Sequence, residues 1–309
     1  MEIFIFFIFW IIGVKSSTIE ELHYGEGPEG PSHWPGVCTT GTRQSPVDIS
    51  PGNVIPAVFS HLKFTNYDKE EEIEVLNLGE TMQVKGFDKW DSDQPMISGG
   101  GLRNKYKLLQ LHVHWSDSDD KGSEHTIHGA HFPLEIHFVH IKEDKTLEEA
   151  ILEPDGFMVL AVFGTINNNP DQLESLTYWV RPMEGTEVGT EIKFKLKPER
   201  LLPSDTASFY RYEGSLTTPN CDESVIWTVL STPINMGKNH LTTLREIRKS
   251  QHLDYSSNVR PVQNLNGRKI QMQLRITDFS TVLTKNRVSQ QISSIFIPKV
   301  INNLESKLS

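Results

Sequence analysis

The sequence predicts an α+β, sheet-dominated fold: a single domain around a large, mostly antiparallel central β-sheet with short peripheral helices. Three observations predict it. Short runs of strand character recur with turn residues between them, helical periodicity is scarce, and the connections are too short and helix-poor for regular strand–helix–strand crossovers. The 309 residues, with 37% hydrophobic side chains, 21 Gly and 17 Pro, contain no repeat, low-complexity block or long linker, so one domain is the simplest organisation.

Taken in order, the chain opens on "MEIFIFFIFWIIGVKSS". Its apolar block, Ile3 to Val14, is short for a membrane span and too apolar for an ordinary soluble N-terminus. It reads as a secretory signal over residues 1–16, with Val14 and Ser16 ahead of the cleavage point and the domain over 17–309. The segment carries Glu2 before its apolar block and no Lys or Arg there, so a retained signal anchor is the alternative. The far end, "IFIPKVINNLESKLS", closes polar, and no stable membrane anchor is expected.

The strand candidates between these ends are "EIEVLNL", "TMQVKGF", "KLLQLHVHW", "PLEIHFVHI", "GFMVLAVFGTI", "EIKFKLK" and "SVIWTVLSTPI". Two stretches have helical periodicity: "NPDQLESLTYWVRPM", with Pro170 early in its first turn, and "GKNHLTTLREIRKS". Cys38 and Cys221 form an even pair, for which a disulfide is the default in an exported chain and two buried thiols the alternative. A bridge would close a loop of about 180 residues and stabilise the fold by roughly 4–5 kcal/mol on the chain-entropy model. The net charge of −10 and the absence of a basic run speak against nucleic acid or an anionic membrane as partners.

Within "KLLQLHVHW", alternation turns Gln110, His112 and His114 one way and Leu109, Leu111, Val113 and Trp115 the other. Three polar side chains on one face of a buried strand need partners, which water, carboxylates or a metal can supply. On "PLEIHFVHI" the same period puts Glu135, His137 and Val139 together, opposite Leu134, Ile136, Phe138 and His140. With the two strands side by side, His112, His114 and His137 can converge on one point. That suits a catalytic zinc, which takes three protein ligands and keeps one position open. Gln110 and Glu135 are placed to accept from the ligands' outer ring nitrogens and so fix their tautomers. The other histidines among the 12 read as surface or structural, with His125 a candidate for a satisfied buried residue.

"QLHVHW", "SEHT", "EIHFVH" and "GSLTTPNC" stand in the order and at roughly the intervals of the α-class carbonic anhydrases, and "RQSPVDI", "ISGGGL", "SVIWTVL" and "NVRPVQ" are similar to the same family. The resemblance covers about residue 22 to about residue 280. It implies a secreted carbonate dehydratase, a lyase that interconverts carbon dioxide and bicarbonate on Zn2+, serves pH regulation and is open to sulfonamide and anion inhibitors. His112, His114 and His137 match the family's zinc ligands, and Gln110 and Glu135 match the side chains behind them. Thr217 matches the hydroxyl that accepts from zinc-bound hydroxide and donates to Glu124. Val139, Val159, Leu216 and Trp227 match the apolar wall for carbon dioxide, and Thr218 a hydrogen-bonding position for bicarbonate or an inhibitor. Cys38 and Cys221 match the disulfide of secreted members.

The chain departs from that pattern on the proton-transfer side. Glu80, in "VLNLGETMQV", stands where fast members carry a proton-shuttling histidine. An ordinary glutamate near 4.3 lies roughly 2.7 units below a donor of pKa about 7, which makes the transfer about 3.7 kcal/mol uphill, whereas histidine near 6.5 accepts almost isoenergetically. Unless burial raises its pKa, Glu80 is the poorer relay, and a slower, buffer-dependent hydratase is expected. Glu26 also replaces a tyrosine, and Leu78 and Gln83 alter an asparagine pattern, of the water-ordering side. The competing reading is a secreted non-catalytic binding or scaffold protein on the same fold, which retention of the full ligand set opposes.

Overall fold

The computed structural model describes residues 23–167, 180, 185–249 and 257–273. The N-terminal apolar block and the chain beyond Gln273 lie outside these residues. So does the helix expected over 169–183, apart from Val180, which is helical and buried.

Fifteen strands form among the described residues: β1 (Asp48–Ile49), β2 (Val54–Ala57), β3 (Leu62–Thr65), β4 (Glu71–Asn77), β5 (Met82–Lys85), β6 (Met96–Gly99), β7 (Tyr106–Trp115), β8 (Thr126–Ile127), β9 (Leu134–Lys142), β10 (Phe157–Ile166), β11 (Glu191–Leu196), β12 (Phe209–Gly214), β13 (Val225–Leu230), β14 (Ile234–Met236) and β15 (Ile270–Gln273). Thirteen make one sheet in the order β11-β4-β5-β7-β9-β10-β13-β12-β15-β2, with β14 beside β10, and β3 on β6, which also pairs β7. Pairing within it is antiparallel except at β10–β13, β10–β14 and β15–β2. The expected sheet-dominated class is the one observed.

The sheet separates two apolar cores. Leu111, Val113 and Trp115 of β7 and Leu134, Ile136 and Phe138 of β9 pack into one. Val139, Val159, Leu216 and Trp227 belong to the other. Strands buried on both faces lose simple polar alternation, which is why β7 and β9 read as nearly continuous apolar runs broken by histidine. One expected face is corrected. A register shift between Leu108 and Gln110 breaks the alternation, so Leu108 joins the core of Leu111, and Leu109 packs on the opposite side with Val139. A bulge adds a residue without advancing the pairing, and every side chain before it changes face. Before β7, Gly99, Gly100 and Gly101 all take left-handed φ of 69°, 57° and 81°. A Cβ on Gly99 would come within 2.3 Å of the His61 backbone oxygen, so this turn requires glycine.

Helix α1 (Leu147–Leu152) joins β9 to β10 and begins on a Thr146 cap reciprocated by Glu149. Thr-x-x-Glu ahead of "LEEAIL" is the signal that identifies it. The expected helix in "GKNHLTTLREIRKS" forms as α2 (Lys238–Lys249), burying Leu241, Leu244 and Ile247. Cys38 and Cys221 are joined by a disulfide across 183 positions, and the Cys221 N–H donates to Thr218 O at 2.8 Å. The bridge thereby fixes the turn that follows Thr217.

Candidate metal centre

His112 on β7 faces His137 on β9 in register, and Glu135 faces His114. The strand period then brings His112, His114 and His137 onto one side of the sheet. Their rings lie with centroids 5.0, 5.2 and 4.5 Å apart, and one nitrogen from each falls within 4.8 Å of the others. All three are buried.

Each imidazole is held from behind by an acceptor. His112 Nδ1 bonds Gln110 Oε1 at 3.0 Å, His114 Nδ1 bonds the Asn258 carbonyl at 2.7 Å, and His137 Nε2 bonds Glu135 Oε1 at 2.7 Å. A carbonyl or carboxylate oxygen can only accept, so these three nitrogens carry the protons. The lone pairs then sit on Nε2 of His112, Nε2 of His114 and Nδ1 of His137, which point to a common centre. His114 Nε2 is buried without a hydrogen-bond partner, as is Glu124 Oε2, 3.6 Å away. A buried orphan nitrogen costs about 1–3 kcal/mol unless something takes its lone pair. A tetrahedral zinc with three nitrogen ligands fits this donor set.

The surroundings favour the neutral form of all three imidazoles. Burial first, then the neighbouring imidazoles, hold His112 well below the ordinary histidine range, and the same causes push His114 down to about 3. Burial also lowers His137, against the pull of Glu135. Burial alone would raise Glu135, but His125, His137 and the hydrogen bonds from both hold its carboxyl well below the usual range. Burial and the Glu135 charge push Glu124 up. The Arg260 backbone N–H, 2.9 Å from Oε1, and the Thr217 hydroxyl oppose that rise.

The pocket beside the centre is lined by Gln110, His112, His137, Val139, Val159, Leu216, Thr217, Thr218 and Trp227. Gln110, Val139, Val159 and Trp227 form one cross-strand row through β7, β9, β10 and β13. The wall is thus a property of register. Glu80 is not among the lining residues and is only 2% exposed. Gln83 is buried on β5 opposite His112, and Glu26 is exposed.

Two features escape the sequence reading. Asn258 supplies the acceptor for His114, and Arg260 the donor for Glu124; both lie in "NVRPVQ", a stretch with no histidine or cysteine to mark it. His125 is the satisfied buried residue expected: its Nδ1 bonds Glu135 Oε1 at 2.6 Å and its Nε2 meets Tyr212 Oη at 2.6 Å. The requirement that every ligand have an acceptor does signal a missing partner for His114.

Residues 29–274 match the model of the eukaryotic-type carbonic anhydrase family. The chain is 42% identical over 244 residues to "Putative carbonic anhydrase 5" of Caenorhabditis elegans, covering 78% of each protein. It is 33% identical over 255 residues to "Carbonic anhydrase 4" of Rattus norvegicus, again covering 78% of each. With "Carbonic anhydrase 7" of Homo sapiens it shares 33% over 268 residues, 82% of this chain and 98% of that protein. The chain belongs to the eukaryotic-type carbonic anhydrase family.

Proposed function

We propose that the chain catalyses the reversible hydration of carbon dioxide to bicarbonate and a proton, with zinc held by His112, His114 and His137. The observation that carries this reading is the set of three buried imidazoles whose outer nitrogens are committed as donors and whose lone pairs converge. Zinc supplies a Lewis acid that lowers the pKa of water to about 7, a value established on carbonic anhydrases themselves.

The chain's own residues divide the remaining work. Gln110, the main-chain carbonyl of Asn258 and Glu135 hold the ligand tautomers. Val139, Val159, Leu216 and Trp227 give a nonpolar substrate an apolar wall and keep water off it. Thr217 has one hydroxyl hydrogen. If Glu124 takes it, Thr217 Oγ1 can only accept, which selects a hydrogen-bearing nucleophile and aims its lone pair. A nearby dication favours the ionised Glu124 that this requires. Thr218 is placed to hydrogen-bond bicarbonate or an inhibitor. Glu80 is the candidate proton relay; it is buried and outside the pocket lining, so it would exchange protons with bulk solvent slowly. The disulfide suits an oxidising, extracellular location. Among the described residues no helix is long and apolar enough to cross a membrane.

The test is metal analysis of the purified chain beside a sulfonamide-sensitive hydration assay. One zinc per chain with sulfonamide-blocked hydration is expected. A chain that folds without stoichiometric zinc sinks the reading and leaves a binding or scaffold role.

A further inference from the structure

β5 pairs with β7 only at Gln83–His112 and Val84–Leu111, so among the described residues β7 has no strand on that side from Val113 onward. Two side chains take the strand's place. Thr81 Oγ1 reaches both Val113 O and N, at 2.6 and 3.4 Å. The carboxamide of Asn258, 1% exposed, then imitates a peptide unit: Oδ1 accepts from Trp115 N at 2.7 Å and Nδ2 donates to Val113 O at 2.9 Å. The second Nδ2 hydrogen goes to Glu80 O at 2.8 Å. The main chain of the same residue bonds His114 through its carbonyl and Trp115 O through its N–H.

We propose that Asn258 is a positioning residue whose side chain locks the turn carrying Glu80 to the strand carrying His112 and His114, so that one carboxamide aligns the proton-relay side with the metal side. Its effect on turnover rests on the reading of Glu80 as the relay. The side chain alone has the right chemistry. It offers one acceptor and two donors, which match Trp115 N, Val113 O and Glu80 O with none left over. Aspartate has the same shape and no donor hydrogens, and it would set a carboxylate oxygen against two carbonyls. The His114 contact runs through the main chain and survives side-chain substitution, so turn and ligand can be separated experimentally.

The experiment uses the zinc-loaded full chain with Asn258→Asp, and Asn258→Ser as a second, uncharged variant should the first not fold. Amide hydrogen exchange should speed up by about tenfold or more in the peptide covering residues 79–81, while the rest of the sheet stays protected. Turnover is read in a Glu80→His background. There the gain in kcat at low buffer should be largely lost on adding Asn258→Asp, while kcat/KM falls by less than about threefold, because proton export limits kcat and not kcat/KM. Unchanged exchange at residues 79–81 with the kcat gain intact overturns the inference. Exchange rising throughout β7, with kcat and kcat/KM falling together, also overturns it in favour of plain structural support. If Glu80→His gives no gain and imidazole none either, the relay reading fails, and the exchange data alone decide the positioning role.

Discussion

Glu135 and His137 lie two residues apart on β9, and the His137 Nε2–H donates to Glu135 Oε1 at 2.7 Å. The other Glu135 oxygen accepts from the His125 backbone N–H at 2.8 Å. A carboxylate can accept every one of these bonds, whereas a carboxamide must turn an N–H toward a donor. Glu135→Gln should therefore misorient His137 and speed metal loss to a chelator by about 10- to 100-fold. Loss at the wild-type rate would show that the ring is held by its packing alone.

Thr217 stands in the pocket wall beside Glu124. Thr217→Ala should lower kcat/KM for hydration by about 10²-fold, the scale of losing one oriented hydrogen-bonding group, with zinc content unchanged. Thr217→Ser should recover most of the loss. A Ser variant as slow as the Ala variant would mean that the methyl group, not the hydroxyl, is what the site uses.

Turnover tests the proposal that Glu80 is the relay. Replacing it with histidine, or adding imidazole to the wild type, should raise kcat without altering kcat/KM. Stopped-flow hydration at rising buffer concentration reads this directly, and a flat response to both changes would end the argument.

His140, on the far face of β9, should contribute to the loss of stability in acid. Its Nδ1 faces two carbonyls, Phe138 O at 2.9 Å and Met158 O at 3.1 Å, so Nε2 must accept from the Tyr67 hydroxyl at 2.5 Å. Burial, which outweighs those carbonyls, pushes its pKa down to about 4. The folded pKa lies below the unfolded value near 6.5, so the neutral ring's contribution is complete above pH 6.5 and drains away as pH falls toward 4. The full loss is about 3 kcal/mol. Urea unfolding at pH 7 and pH 4.5 should show a smaller drop in His140→Asn than in the wild type. Equal drops would remove His140 from the acid response.

Much of the site was legible because strand period and metal chemistry are both local. His112 and His114 on one face, and Glu135 with His137 on another strand, follow from spacing alone. Leu109 was assigned the wrong face because nothing in "KLLQ" marks a bulge. The third acceptor was invisible for a different reason: any residue offers a carbonyl, so Asn258 carries no compositional mark of its contact with His114. The parallel pairs β10–β13 and β15–β2 depend on register between distant segments, and so does the row that lines Val139, Val159 and Trp227 along one wall.

The contact between His114 and Asn258 spans 144 positions. During synthesis His114, His112 and His137 all leave the ribosome well before residue 258 does, so a nascent chain carries three imidazoles with only two of their acceptors. The full set of three acceptors therefore exists only once residue 258 has been made. A chain that ends between His137 and Asn258 would keep all three imidazoles and still lack the acceptor that orients His114.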